Sequence, residues 1–110
     1  MQEALSAVRA LRTRAAKVGV TGNREYNPGW HTALDLENLL TVSEAIALAG
    51  IERKESRGGH FRDDYPDKDA QFAKFNIVIR KGTDGSMQLE RRPLTPLPAE
   101  LQAIIEEQKS

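Results

Sequence analysis

The stretch "WHTALDLENLLTVSEAIALAGI", Trp30 to Ile51, decides the fold. Apolar residues recur along it at helical spacing, and on two sides. Leu36, Leu39, Leu40, Ser43, Ile46, Ala47 and Gly50 make one face; Trp30, Ala33, Leu34, Thr41, Ala45 and Leu48 make much of the opposite one. Its only charged residues are Asp35, Glu37 and Glu44. A helix apolar around most of its circumference is normally buried on most sides. Ala45, Ala47, Ala49 and Gly50 are small enough to let a neighbouring helix approach closely.

One neighbour is predicted upstream, over residues 3–18. Leu5, Val8, Leu11, Ala15 and Val18 form a stripe, with Arg9, Arg12, Arg14 and Lys17 mostly off it. The cationic C-terminal half suits the negative end of a helix dipole. The basic, Ala-rich start has the composition of some transit peptides, but it lacks their Ser richness and keeps a helical stripe, so it reads as a structural helix. "TGNREYNPG" (21–29) is a connector, with Asn27 placed to cap the next helix and Pro28 in its first turn. One helix of this length does not cover the apolar segment. Either the chain oligomerises or it belongs to something larger.

Downstream, the long helix is expected to run to about Ser56, with Gly58-Gly59 as its stop. "FNIVIRKGTDGSMQLERRPL" (75–94) reads as a β-hairpin: Phe75 to Arg80, a turn at Thr83-Asp84-Gly85, and a return strand from Met87 to Arg92. "PLTPLP" is extended, and "AELQAIIEEQKS" is suited to a short final helix using Leu101, Ile104 and Ile105. The predicted fold is mainly α. An antiparallel helical hairpin, part of a three-helix, spectrin-repeat-like bundle, occupies residues 1–60. An irregular tail with a short β-hairpin and a terminal helix occupies 61–110.

Composition removes several function classes. The chain has 110 residues, enough for one small domain. Hydrophobic residues make up 39%, below the roughly 45–50% of typical globular domains, which points to a modest core or a core completed elsewhere. Sixteen basic and sixteen acidic residues cancel, so a nucleic-acid partner is not expected. There is no Cys, and two His do not alone make a zinc site. No apolar run reaches the length of a membrane span.

The chemistry-bearing residues concentrate in "ESRGGHFRDDYPDKD", Glu55 to Asp69. His60, with Asp63 and Asp64 nearby in sequence, is the candidate general acid or base. None of Ser43, Ser56 and Ser86 sits in a nucleophile-elbow pattern, so a triad is not supported. His31, at the start of the apolar helix, suits a structural hydrogen bond. Asp63, Asp64, Asp67 and Asp69 lack the spacing and terminal Glu of a calcium loop. "RGGH" is too short to cradle a phosphate, and no strand precedes it. Arg57 and Arg62 offer planar forks for carboxylates and carbonyls. Gly58 and Gly59 permit close backbone approach, and Phe61 and Tyr65 are typical interface anchors. These residues fit a turn docked on another surface; they also fit a solvated, charge-rich loop.

The segment from Asn27 to Asp69 resembles the C-terminal helical domain of the flavoprotein subunit of succinate dehydrogenase and fumarate reductase. The family pattern is a helix ending in E-S-R-G-[AG]-H-x-R-[ED]-D-[YF]-P, matched by Glu55 to Pro66. The resemblance extends more loosely over nearly the whole chain, and the "NPGWH" opening looks like the bacterial soluble-subunit branch. L-aspartate oxidase shares the E-S-R-G-x-H core but usually lacks the Arg and acid that follow, here Arg62 and Asp63. A free-standing helical interaction module, dimerising through Trp30 to Ile51, is a third reading.

The resemblance implies a parent oxidoreductase of the tricarboxylic acid cycle and electron transport. It would interconvert succinate and fumarate by hydride transfer at FAD. The family's flavin- and dicarboxylate-binding motifs lie in its FAD-binding and capping domains. No GxGxxG, HRLGxN-like or NRLGGN-like segment occurs here. The chain is therefore expected to be a C-terminal fragment lacking the family domain's leading helix. No catalytic, cofactor-binding or metal residue is assigned to it. Arg57, Gly58, Gly59, His60, Arg62, Asp63, Asp64 and Tyr65 are expected to dock against other domains or subunits. The implied partners are the FAD-binding and capping domains, the iron–sulfur subunit and a flavinylation factor. The implied location is the cytoplasm, peripheral at the inner face of a bacterial membrane through partner subunits. The isolated chain is expected to self-associate.

Overall fold

The structure, a computed structural model, describes residues 1–109. Its elements are α1 (Gln2–Ala15), α2 (Pro28–Glu52), a single 3-10 turn (Phe72–Lys74), β1 (Phe75–Lys81), β2 (Met87–Pro93) and α3 (Ala99–Glu107). The expected mainly-α architecture with a helical hairpin and a β-hairpin is what forms.

α1 and α2 are antiparallel. Arg9 reaches Glu44, whereas Arg12, one turn further along α1, reaches back to Thr41 and Glu37. α2 begins as its sequence predicts: the Asn27 side chain accepts from Trp30 N at 3.3 Å, and Pro28 follows it. The same Asn27 amide donates to the carbonyls of Thr21 and Asn23, both at 2.9 Å, folding the connector onto the helix start.

The helix interface departs from the expected stripe. Leu5 and Leu40 are buried in it, but Leu11 is exposed, and Val18 lies beyond the end of α1. Arg12, half-buried, runs along the interface as well. The reason is Glu44, buried on the facing side of α2, which takes ion pairs from Arg9 at 3.0 Å and Arg12 at 3.3 Å. Burying a carboxylate is tolerable only with such partners.

The opposite side of α2 stays bare. Leu39, Val42 and Ile46 are 59, 58 and 68% exposed, an apolar ridge with nothing over it. The chain is long rather than compact, with a radius of gyration of 20.1 Å against about 13 Å for a typical domain of this size. The buried apolar side chains are Leu5, Leu40 and Phe72 among the described residues.

β1 and β2 pair antiparallel from Phe75↔Pro93 to Lys81↔Met87. The turn is the expected one. Asp84 Oδ1 accepts from Ser86 N and Oγ at 3.0 and 2.7 Å, and Gly85 has φ +83°. Phe72 anchors the hairpin to the end of α2. It is buried between the guanidinium groups of Arg53 and Arg91, 5.7 and 5.2 Å from its ring centre, and Arg91 Nε donates to Glu52 at 2.7 Å. α3 buries no residue, leaving Leu101, Ile104 and Ile105 exposed.

Candidate docking loop

α2 ends at Glu52, four residues short of the expected Ser56. Arg53 is already extended (φ −80°, ψ 99°). Two features stop the helix, and neither is the Gly pair. Arg62 Nη1 donates to the carbonyls of Gly50, Ile51 and Arg53 at 2.9, 2.9 and 3.2 Å, satisfying acceptors that a helix end leaves open. Arg53 then leaves the helix in an extended conformation and the chain bends at Glu55, whose carboxylate meets both Arg53 and Arg57.

Glu55 is the hub of the loop. It is the one fully buried large side chain among the described residues, at 0% exposure. Its Oε1 accepts from Arg53 Nη1 at 2.5 Å and Arg57 Nε at 2.9 Å; its Oε2 accepts from Arg57 Nη2 at 3.0 Å and Asp69 N at 2.8 Å. The Arg57 hydrogen bonds, then the Asp69 amide and Arg53, hold its carboxyl down at about 2 against the opposing push of burial.

Ser56 closes the second half. Its Oγ donates to Tyr65 O at 2.7 Å and accepts from Arg62 N at 2.8 Å, while Ser56 N donates to Asp67 O at 3.0 Å. Gly58 and Gly59 form a two-residue turn closed by the Arg57–His60 bridge, whose backbone bonds are 2.8 and 3.0 Å. Gly58 has φ +60°, so this position needs glycine.

The structure thus brings Arg57 and Arg62 together with their own chain. Arg57 grips Glu55 and the Asp69 carbonyl. Arg62, only 11% exposed, adds a fork onto Asp64 (2.9 and 2.6 Å) and lies 4.8 Å over the Tyr65 ring. That fork holds the Asp64 carboxyl below its usual range and raises the Arg62 guanidinium. His60 Nε2 lies 3.2 Å from the Arg53 carbonyl and is not joined to Asp63 or Asp64. Phe61 and Asp63 point outward, Phe61 66% exposed. The four Asp residues do not converge: Asp64 serves Arg62, and Asp69 Oδ1 accepts from Gln71 N at 2.7 Å. Among the described residues, no group of three His, Asp or Glu is placed to hold a metal ion.

The roles of Arg53, Glu55, Ser56 and Phe72 in holding the loop were not foreseen by sequence reasoning. The signal present was the close spacing of Arg53, Glu55 and Arg57, one acid between two cations just before the Gly pair.

These residues do not fit a flavin cradle. The Gly pair is consumed by a closed turn, and the strand-to-helix step from β2 to α3 passes through Pro93, Pro96 and Pro98 without a glycine.

The family model described as "Fumarate reductase flavoprotein C-term" matches residues 1–105. The chain belongs to this family. The domain is 30% identical over 96 residues to the fumarate reductase flavoprotein subunit of Mycobacterium tuberculosis, covering 86% of the chain and 16% of that protein. It is 32% identical over 102 residues to the succinate dehydrogenase flavoprotein subunit of Coxiella burnetii, covering 89% and 17%. Among solved structures, Mycobacterium smegmatis Sdh1 in complex with UQ1 superposes with a TM-score of 0.82 at 42% identity, covering 96% of the domain and 18% of that chain. The domain thus spans about a sixth of the length of the curated relatives it matches. None of its helices is long and apolar enough to cross a membrane, among the described residues.

Proposed function

We propose that this domain is the C-terminal part of a flavoprotein subunit whose parent interconverts succinate and fumarate through FAD-mediated hydride transfer. The observation that carries the reading is the family match across residues 1–105. In this reading the chain does no chemistry itself. It buttresses the FAD-binding and capping domains and presents a surface to the iron–sulfur subunit and to a flavinylation factor. The parent sits at the inner face of the membrane through its partner subunits.

The exposed ridge of α2 supports the buttressing role, since Leu39, Val42 and Ile46 form an apolar face with no cover among the described residues. The loop supports the docking role. Arg57, Gly58, Gly59, His60, Arg62, Asp63, Asp64 and Tyr65 form a turn stiffened from within, with Phe61 and Asp63 at its outer surface.

The test uses the whole flavoprotein subunit. Arg57→Ala and Arg62→Ala should each reduce flavin retention and assembly with the iron–sulfur subunit. Phe61→Ala, which leaves the internal network intact, should reduce assembly alone. If all three variants assemble and keep FAD normally, the loop is only a solvated surface. The chain by itself should emerge from desalting free of flavin absorbance; retained flavin would overturn the assignment of FAD to other domains.

A further inference from the structure

Tyr26, in the connector between α1 and α2, stands in water on a strained backbone. Its side chain is fully exposed, and its φ of +55° is the one positive value outside glycine among the described residues. That region is costly for a bulky side chain and is kept where something offsets it. Nothing in this domain does so, since the Tyr26 side chain has no hydrogen bond or ring contact among the described residues. The position is not slack either. The next residue, Asn27, caps α2 and donates to the carbonyls of Thr21 and Asn23, which pins the connector around the ring. A ring held out on a stiff, strained loop is prepared to anchor on another surface.

Its neighbours describe that surface. Trp30 is half-buried, with Arg24 5.8 Å over its ring and His31 edge-on at 5.1 Å. Tyr, Trp and Arg are the side chains that dominate binding hot spots. Residues 14–31 carry Arg14, Lys17 and Arg24 against Glu25 alone, and none of the three cations has a carboxylate partner among the described residues. The complementary surface is a pocket for a phenol ring with carboxylates at its rim.

We infer that Tyr26 inserts into such an acid-rimmed pocket on another part of the same polypeptide. The contact presupposes the reading of this chain as part of a longer flavoprotein subunit, since the domain spans about a sixth of the length of its relatives. One ring with a few flanking cations is too little to hold a separate protein, whose binding must offset lost translational and rotational freedom. Between parts of one polypeptide the tether supplies a high effective concentration, and a small anchor suffices. The contact is distinct from the docking loop. Tyr26 precedes the first residue of α2 and the loop follows the last, and 25 helical residues hold them about 37 Å apart.

Nitration by tetranitromethane, with mass spectrometry of the peptide that carries residue 26, reads the contact directly. In the 110-residue chain Tyr26 should react faster than Tyr65, which lies against Arg62. In the whole flavoprotein subunit Tyr26 should react about tenfold or more slowly than in the 110-residue chain. Tyr26→Gly removes both ring and strain. It should leave the thermal midpoint of the 110-residue chain unchanged or raised, and lower that of the whole subunit. Tyr26→Phe keeps the ring and should lower the subunit midpoint less. Equal nitration rates in chain and subunit overturn the contact. So does protection that begins only when the iron–sulfur subunit is added, because the occupant is then a separate protein. A 110-residue chain destabilised by Tyr26→Gly overturns it too, by showing that the ring serves its own fold. Should the Gly variant of the subunit fail to fold, the nitration rates of the unaltered proteins still decide. Flavin absorbance of the same subunit tests the functional reading separately: Tyr26 protected in a subunit that binds no flavin upholds the contact and overturns that reading.

Discussion

Both nitrogens of one edge of the Arg57 guanidinium donate to the buried carboxylate of Glu55, at 2.9 and 3.0 Å. This fork ties the residue that leaves α2 to the residue that enters the glycine turn. With the Asp69 amide on the same carboxylate, it also ties the start of the loop to its end.

Glu55→Ala should therefore collapse the loop as a unit. It leaves Arg53, Arg57 and the Asp69 N–H without their acceptor, whereas Arg57→Ala removes one donor residue and leaves two others on Glu55. The expected order of thermal midpoints is wild type, then Arg57→Ala, then Glu55→Ala, the last lower than wild type by at least about 5 °C. A thermal melt followed by circular dichroism checks the order.

The same carboxylate sets an acid limit. In the unfolded chain it titrates near 4.5, and in the fold at about 2. Its stabilising effect is complete above about pH 4.5, where both states are ionised. It falls as protons bind the unfolded chain first, and is gone at about pH 2. The urea midpoint should drop through this window, and drop less in Glu55→Gln. The depressed carboxyls of Asp64 and Glu90, held by Arg62 and by Arg92 with Arg80, act in the same direction.

Phe72→Ala should free the hairpin from the helix end. The ring is buried between two guanidinium groups, and losing a buried Phe costs about 3 kcal/mol or more. Amide exchange in β1 and β2 should accelerate while exchange in the middle of α2 stays slow. Equal acceleration throughout would show that the hairpin and helix unfold together.

Asn27→Ala removes both the cap of α2 and two bonds to the connector. The cap alone is worth about 1 kcal/mol. Asn27→Asp keeps the cap acceptor and loses the amide donors, so it should retain part of that stability. Urea denaturation of the two variants separates the contributions.

Much of the fold was legible because it depends on local chemistry. Asn27-Pro28 marks the start of α2 wherever the helix packs, and Asp84-Gly85 makes its turn from its own side chain and φ. The interior of the helical hairpin was less legible. Leu11 stays partly exposed at the rim beside Leu36 and Leu40, and Arg12 is drawn along the interface by Glu44 from α2.

The candidate loop was readable as a name and misread as a shape. Glu55 to Pro66 identifies the family from sequence alone, and its residues are the ones that form the turn. Extending α2 to Ser56 concealed why they are there. On a continued helix Arg53, Glu55 and Arg57 would point in different directions; instead the chain leaves the helix at Arg53 and bends at Glu55, bringing both guanidiniums to one carboxylate. That choice is made by Arg62, nine residues beyond Arg53, which caps the carbonyls of Gly50, Ile51 and Arg53. Sequence by itself determined the helices, the hairpin, the glycine turn and the family, because each rests on neighbours along the chain. Only tertiary structure decided where α2 stops and which carboxylate is buried, because both depend on a side chain arriving from across the loop.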